Sequence, residues 1–207
     1  MNNDKPIMQF LDELASKAPT PGGGGAAAII GSMGAALVSM VCNLTLGKKG
    51  YETVQEEIQA TLERSERLRA LLASMVRADE DVFGKVMGAY GLPKDTAEQK
   101  QSRTLAIQDA LKAATDVPLA CAKASAEVIE LSRIVAEKGN KNLVSDAGVA
   151  VSAGYAALKS AALNVYINTA SIKDDGFVHA KLAELEAALA GKDISTEEIY
   201  QEVRNRL

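Results

Sequence analysis

Asp79 is the residue whose neighbours best suit it to handle protons. It lies in the stretch Val76-Arg77-Ala78-Asp79-Glu80-Asp81-Val82-Phe83, one helical turn after Met75 and one before Phe83. Helical spacing sets it on or beside an apolar stripe, whereas Glu80 and Asp81 can face water. A carboxylate held against apolar surface has its neutral form favoured, which brings its pKa toward the range useful for proton exchange. The competing reading is a solvated acidic patch, since charged side chains are mostly exposed.

Other polar groups stand on apolar ground. Ser145 and Asp146 open an Ala-rich segment, and Asn164 and Asn168 lie within it, four residues apart and so on one helical face. A buried polar group without a partner costs about 1–3 kcal/mol, so these groups must bond each other, the backbone or a ligand. Lys48 adds a cation in the turn Gly47-Lys48-Lys49-Gly50. Upstream, Pro19-Thr20-Pro21-Gly22-Gly23-Gly24-Gly25 runs into Ala26-Ala27-Ala28. A glycine loop feeding a helix offers free backbone N–H groups to a bound ligand. Gly22, Gly24 and Ala27 also fit a loose G-x-G-x-x-A, but no strand precedes them and no Gly-Lys-Ser/Thr follows, so a nucleotide loop is poorly supported.

The remaining chemistry is narrow. With one histidine, His179, there is no histidine cluster for a catalytic metal and no Ser-His-Asp or Cys-His constellation. His179 follows a polar turn and reads as a surface or capping residue. Cys42 and Cys121 fall in apolar segments without CxxC spacing, which suits buried free thiols in a reducing compartment.

These groups need helices to position them. From Ala18 to Gly47 no residue is charged. Past the glycines, Ala27, Gly31, Gly34 and Ala35 make a small face, while Ile30, Met33, Leu37, Val41 and Leu44 make a bulkier one. A helix apolar all round is a buried helix, and the small face admits another backbone closely. Its length also permits a membrane span, but the Gly, Ala and Ser content and Asn43 argue against one. Asp4, Asp12 and Glu13 precede the apolar run, where a secretory signal would carry positive charge.

Around this central helix the apolar periodicity predicts a short helix from Pro6 to Ala18 and a long one from Tyr51 to about Tyr90. Thr96 with Gln99 forms a capping box that opens a helix to about Thr115. Pro118 then begins a new helix or a kinked continuation to Lys138. A largely buried helix runs from about Val144 to Ile172, and two more complete the chain, the last opened by the capping box Ser195 and Glu198. Residues 1–207 thus read as one all-α domain, a multi-helix bundle with a buried Gly/Ala-rich central helix. With no tryptophan and only 4% aromatic residues in the chain, its core must be built from Ala, Leu, Val, Ile and Met. The net charge of −4 argues against nucleic acid as a general partner.

Taken in order, Pro21-Gly22-Gly23-Gly24, Leu44-Thr45-Leu46-Gly47-Lys48-Lys49, Ala78-Asp79 with Phe83, Leu92-Pro93-Lys94, Val117-Pro118-Leu119, Ser145-Asp146 and Asn164-Val165-Tyr166-Ile167-Asn168 resemble the cyclodeaminase/cyclohydrolase family. The resemblance runs from about Phe10 to Lys173. It implies an all-helical, dimeric, cytoplasmic enzyme acting on the one-carbon unit that bridges N5 and N10 of tetrahydrofolate, with Asp79 at the position of the catalytic acid/base. Polarity and placement extend the expected pocket to Gly22, Gly23, Gly24, Lys48, Ser145, Asp146, Asn164 and Asn168. The glycine turn and Lys48 are expected to receive the glutamate carboxylates of the folate, including a polyglutamylated one. The substrate is a tetrahydrofolate derivative, and no metal, nucleotide or redox cofactor is expected. The alternative is a non-catalytic dimerisation scaffold whose polar groups bond one another.

Overall fold

The structure, a computed structural model, describes residues 6–207. Residues 1–5 of the expected single domain lie outside the described residues. The helices are α1 (Ile7–Leu14), α2 (Gly23–Asn43), α3 (Gln55–Tyr90), α4 (Ala97–Lys138), α5 (Val144–Thr169), α6 (Asp175–Leu189) and α7 (Lys192–Arg204). Short 3-10 turns at Glu52–Val54 and Lys141–Leu143 lead into α3 and α5, and none of the described residues is in a strand.

Helices α2 to α5 pack as an antiparallel bundle around one apolar core that takes in Ala27, Ala35, Val38, Leu72, Ile129, Val151 and Leu158. The small residues of α2 set the spacing. A Cβ on Gly34 would stand 3.1 Å from the Ala150 carbonyl oxygen and 3.3 Å from the Gly154 nitrogen, so α2 and α5 meet almost backbone to backbone. Larger side chains there would force strain into a close-packed core. Helices α6 and α7 lie outside, against α4 and α5. Leu185, Ile199 and Val203 anchor them, and ion pairs such as Lys123–Glu184 and Arg133–Glu198 tie them down.

Four expectations need correction. Helix α2 begins at Gly23, so three of the four glycines form its first turn rather than a loop; Thr20-Pro21 is a cis peptide and Gly22 is the cap. Nor is α2 buried on every side: Met33 is 52% exposed, because α3, α4 and α5 cover only part of its circumference. It is long and apolar enough to cross a membrane, yet 56% of its most apolar window is buried inside the bundle. The helix expected to stop near Thr115 does not: α4 runs on through Pro118 to Lys138, so of the two readings of Pro118 the continuation holds and the new start does not. A proline there leaves the carbonyl of Ala114 without its N–H partner, and the Asn168 side chain supplies one, Nδ2 donating at 2.8 Å. Finally, α7 starts at Lys192 after the left-handed Gly191, which places Ser195 inside the helix; its backbone N–H donates to the Gly191 carbonyl, so it caps nothing. By contrast the Thr96–Gln99 capping box forms as expected.

Candidate functional site

At the start of α2 the backbone N–H groups of the first turn have no partners within the helix. Asp79, on α3, comes to meet them, and its Oδ2 accepts from the Gly25 N–H at 3.1 Å. The carboxyl lies where a side chain on Gly24 would be: a Cβ there would stand 2.2 Å from Oδ1 and 2.5 Å from Cγ. Glycine at this position is therefore a requirement of close approach. On α5, Asn164 faces the same turn, with its amide 3.8 Å from where a Gly23 Cβ would be. Its Nδ2 donates to the Ser160 carbonyl, which leaves Oδ1 as the outward acceptor. Glycine turn, carboxyl and amide thus come from three helices.

Burial raises the pKa of Asp79 and the charge of Glu80 adds to the rise, while the Gly25 N–H pulls the other way. Among the described residues it forms no ion pair. A half-buried carboxyl that is kept ionisable by one backbone donor and pushed up by desolvation suits a group that takes and returns a proton. Close by, the buried thiol of Cys121 is pushed up to about 11, chiefly by burial, with the charge of Asp79 contributing. Cys42 is pushed up to about 12 by burial, so both free cysteines are neutral, unreactive core residues.

The sequence-derived set does not all meet here. Lys48 lies beyond the other end of α2, about 30 Å away at 1.5 Å per helical residue. There its Nζ donates to Asn140 Oδ1 at 2.7 Å and stands over the Tyr51 ring. Ser145 and half-buried Asp146 belong to that end too, because α5 runs antiparallel to α2 and begins there. Ser145 lines an apolar groove between α5 and α7 with Tyr200, Val203 and Arg204, away from Asp79. The glycine turn and Lys48 therefore do not share a pocket within one chain, a distance that residue types alone do not reveal. Asn168 spends one amide N–H in completing α4 through its bond to Ala114, which leaves its other N–H and its Oδ1. His179 is exposed on α6. Among the described residues no cluster of His, Cys, Asp or Glu could hold a metal ion.

Two participants escaped the sequence reading. Gly25, the actual donor to Asp79, was hidden as the last of four like residues. Asn140, which fixes Lys48, also accepts from the Asn142 N–H and donates to the Leu44 carbonyl; its place just past a helix end was the available signal.

The sequence profile described as formiminotransferase-cyclodeaminase matches residues 6–187. Methenyltetrahydrofolate cyclohydrolase of Methylorubrum extorquens is 56% identical over 207 residues, the full length of both chains. Formimidoyltransferase-cyclodeaminase of Rattus norvegicus is 33% identical over 174 residues, 84% of this chain but 32% of that one. The chain thus spans about a third of the length of that relative. The crystal structure of formiminotetrahydrofolate cyclodeaminase from Thermotoga maritima superposes with a TM-score of 0.83 at 34% identity, covering 99% of this chain and 96% of that one.

Proposed function

The chain belongs to the formiminotransferase-cyclodeaminase family, and from that premise we propose that Asp79 is the acid/base of a folate enzyme working at the N5/N10 bridge of tetrahydrofolate. The observation that carries this is the raised carboxyl of Asp79 docked on the open first turn of α2. Full-length likeness to a cyclohydrolase favours hydrolysis of 5,10-methenyltetrahydrofolate to 10-formyltetrahydrofolate. In that reaction the Asp79 carboxylate takes a proton from water as its oxygen adds to the methenyl carbon. A tetrahedral carbon results, bonded to N5 and N10. Asp79 returns the proton to N5 as the C–N5 bond breaks, and the hydroxyl proton leaves as the formyl carbonyl forms. General acid–base help of this kind is worth about 10²–10⁴ in rate.

The reaction of the cyclodeaminase relatives passes through a similar carbon. N10 attacks the formimino carbon of 5-formiminotetrahydrofolate, Asp79 carries the N10 proton to the formimino nitrogen, and a solvent proton completes the ammonia that leaves. Neither route calls for a metal, nucleotide or redox cofactor. The methenyl chromophore separates the two: its loss on adding protein establishes hydrolysis, and its appearance from 5-formiminotetrahydrofolate with ammonia establishes cyclodeamination. Silence in both would return the scaffold reading.

The active unit is proposed to be a soluble cytoplasmic homodimer. Supporting this, α2 carries no charge and leaves Met33 exposed, Leu44 is exposed just past its end, and Val149, Leu163 and Ile167 are exposed on neighbouring α5. A twofold axis across these helices would set the Lys48 end of one protomer beside the Asp79 end of its partner. Mixing Asp79→Asn and Lys48→Ala proteins tests it: hybrid dimers should regain activity that neither parent shows, and no regain would exclude the arrangement.

A further inference from the structure

The face of α3 that packs on α2 does not stop at Asp79. Helix α2 has ended there, yet Phe83, Met87 and Tyr90 continue the same face outward, four, eight and eleven residues past the carboxyl. From Asp79 to Tyr90 they reach about 16 Å along the helix axis. Phe83 is 37%, Met87 53% and Tyr90 43% exposed. The adjacent flank is braced, with Ala89 buried against Ile107, Leu111 and Ile172, so these three side chains are not needed for that packing. At the far end Arg103 stands over the Tyr90 ring at 5.6 Å. Two of its five N–H donors go to the Tyr90 carbonyl, at 3.2 and 3.0 Å.

We infer that this stripe is the wall that seats the p-aminobenzoylglutamate part of the folate, an inference that rests on the reading of the function above. N10 is bonded directly to the p-aminobenzoyl ring, so a one-carbon bridge held at Asp79 must send that ring along one direction from the carboxyl. The stripe offers an aromatic and a thioether surface in that direction, and then a cation where the glutamate carboxylates follow. Order along the helix matches order along the ligand. Aromatic rings and methionine sulfur suit a flat conjugated ring, and a guanidinium suits a carboxylate.

The test pairs Phe83→Ala/Met87→Ala with the wild type, using 5,10-methenyltetrahydrofolate as substrate and free p-aminobenzoylglutamate as a competitive inhibitor. Both substituted side chains are exposed, and circular dichroism confirms that the fold is retained. The variant should show KM raised about tenfold or more, the loss expected for a stacked ring, with kcat within about twofold of wild type. The fragment should inhibit the wild type and fail on the variant. Unchanged KM and unchanged inhibition in an active enzyme would overturn the stripe and leave the proposed function standing. A fall in kcat at constant KM would also overturn it. A wild type that turns over neither folate would remove the proposed function and this inference together.

Discussion

The two ends of α2 hold similar kinds of residue and use them in opposite ways. At the C-terminal end the polar groups answer one another. Lys48 donates to Asn140, the Asn140 N–H donates to Thr45 Oγ1 at 2.9 Å, and the Lys141 N–H donates to the Tyr51 hydroxyl. At the N-terminal end Asp79 has one backbone donor, Gly25, Asn164 uses its amide nitrogen on the Ser160 carbonyl, and the Gly23 and Gly24 N–H groups of the first turn stand open. Saturated polar groups hold a fold together, whereas unsaturated ones wait for something else. Within one chain the same residue types therefore close on each other at one end and stand ready at the other.

The comparison breaks most visibly at Asp79. Asp79→Asn keeps the shape and the bond from Gly25 but cannot exchange protons, and turnover should fall about 10²–10⁴-fold in a steady-state assay. The substitution should not cost stability at neutral pH. A carboxyl whose folded pKa lies above its ordinary value of 3.8 binds more protons folded than unfolded, so it lowers stability as pH rises from about 3.8 through the folded value. Thermal melts should show the variant at least as stable as wild type at neutral pH, with the difference closing as pH falls below that window.

Gly24→Ala sharpens the same end more gently. Its new methyl would overlap the whole Asp79 carboxyl, 2.2 Å from Oδ1, 2.5 Å from Cγ and 2.6 Å from Oδ2, so the side chain must swing off the Gly25 N–H as a unit; the melt should move only modestly, since alanine's helix propensity offsets the lost bond. Activity should drop about 10²-fold, as displacement of a reacting group by about 1 Å can do. In an Asp79→Asn background the same change should add little. The opposite end behaves in reverse. Asn140→Ala leaves the Leu44 carbonyl without its side-chain donor and should cost about 1–3 kcal/mol, lowering Tm by roughly 2–4 °C per kcal/mol in a chain of this size. An unchanged melt would erase the distinction between the ends.

Local chemistry made much of the fold legible before any coordinates. The Thr96–Gln99 cap depends on residues three apart, and the apolar periodicity of α3 through Met75 on near neighbours. What stayed hidden depended on distant partners. Pro118 leaves a new start and a continuation both open until Asn168, fifty residues on, supplies the missing donor. Four glycines look like a loop until Asp79 arrives to occupy the space a side chain would fill. The Asp79 carboxyl was readable from its apolar surroundings, but the separation of Lys48, Ser145 and Asp146 from it was not. Residue types say what a group can do, while only the antiparallel path of α2 and α5 says which groups meet.

The glycines that let α2 approach its neighbours also decide when it can form. Gly31 and Gly34 in its interior each cost about 1 kcal/mol relative to alanine in an isolated helix, and no charged residue supplies a stabilising pair along it. The long α3–α4 hairpin, by contrast, has its own capping box and charged pairs such as Arg64–Glu127. Chain collapse should therefore raise the hairpin first and admit α2 as a late arrival, stabilised by the surfaces that receive it. The backbone donor that holds Asp79 is then among the last bonds to form, which ties the birth of the site to completion of the bundle.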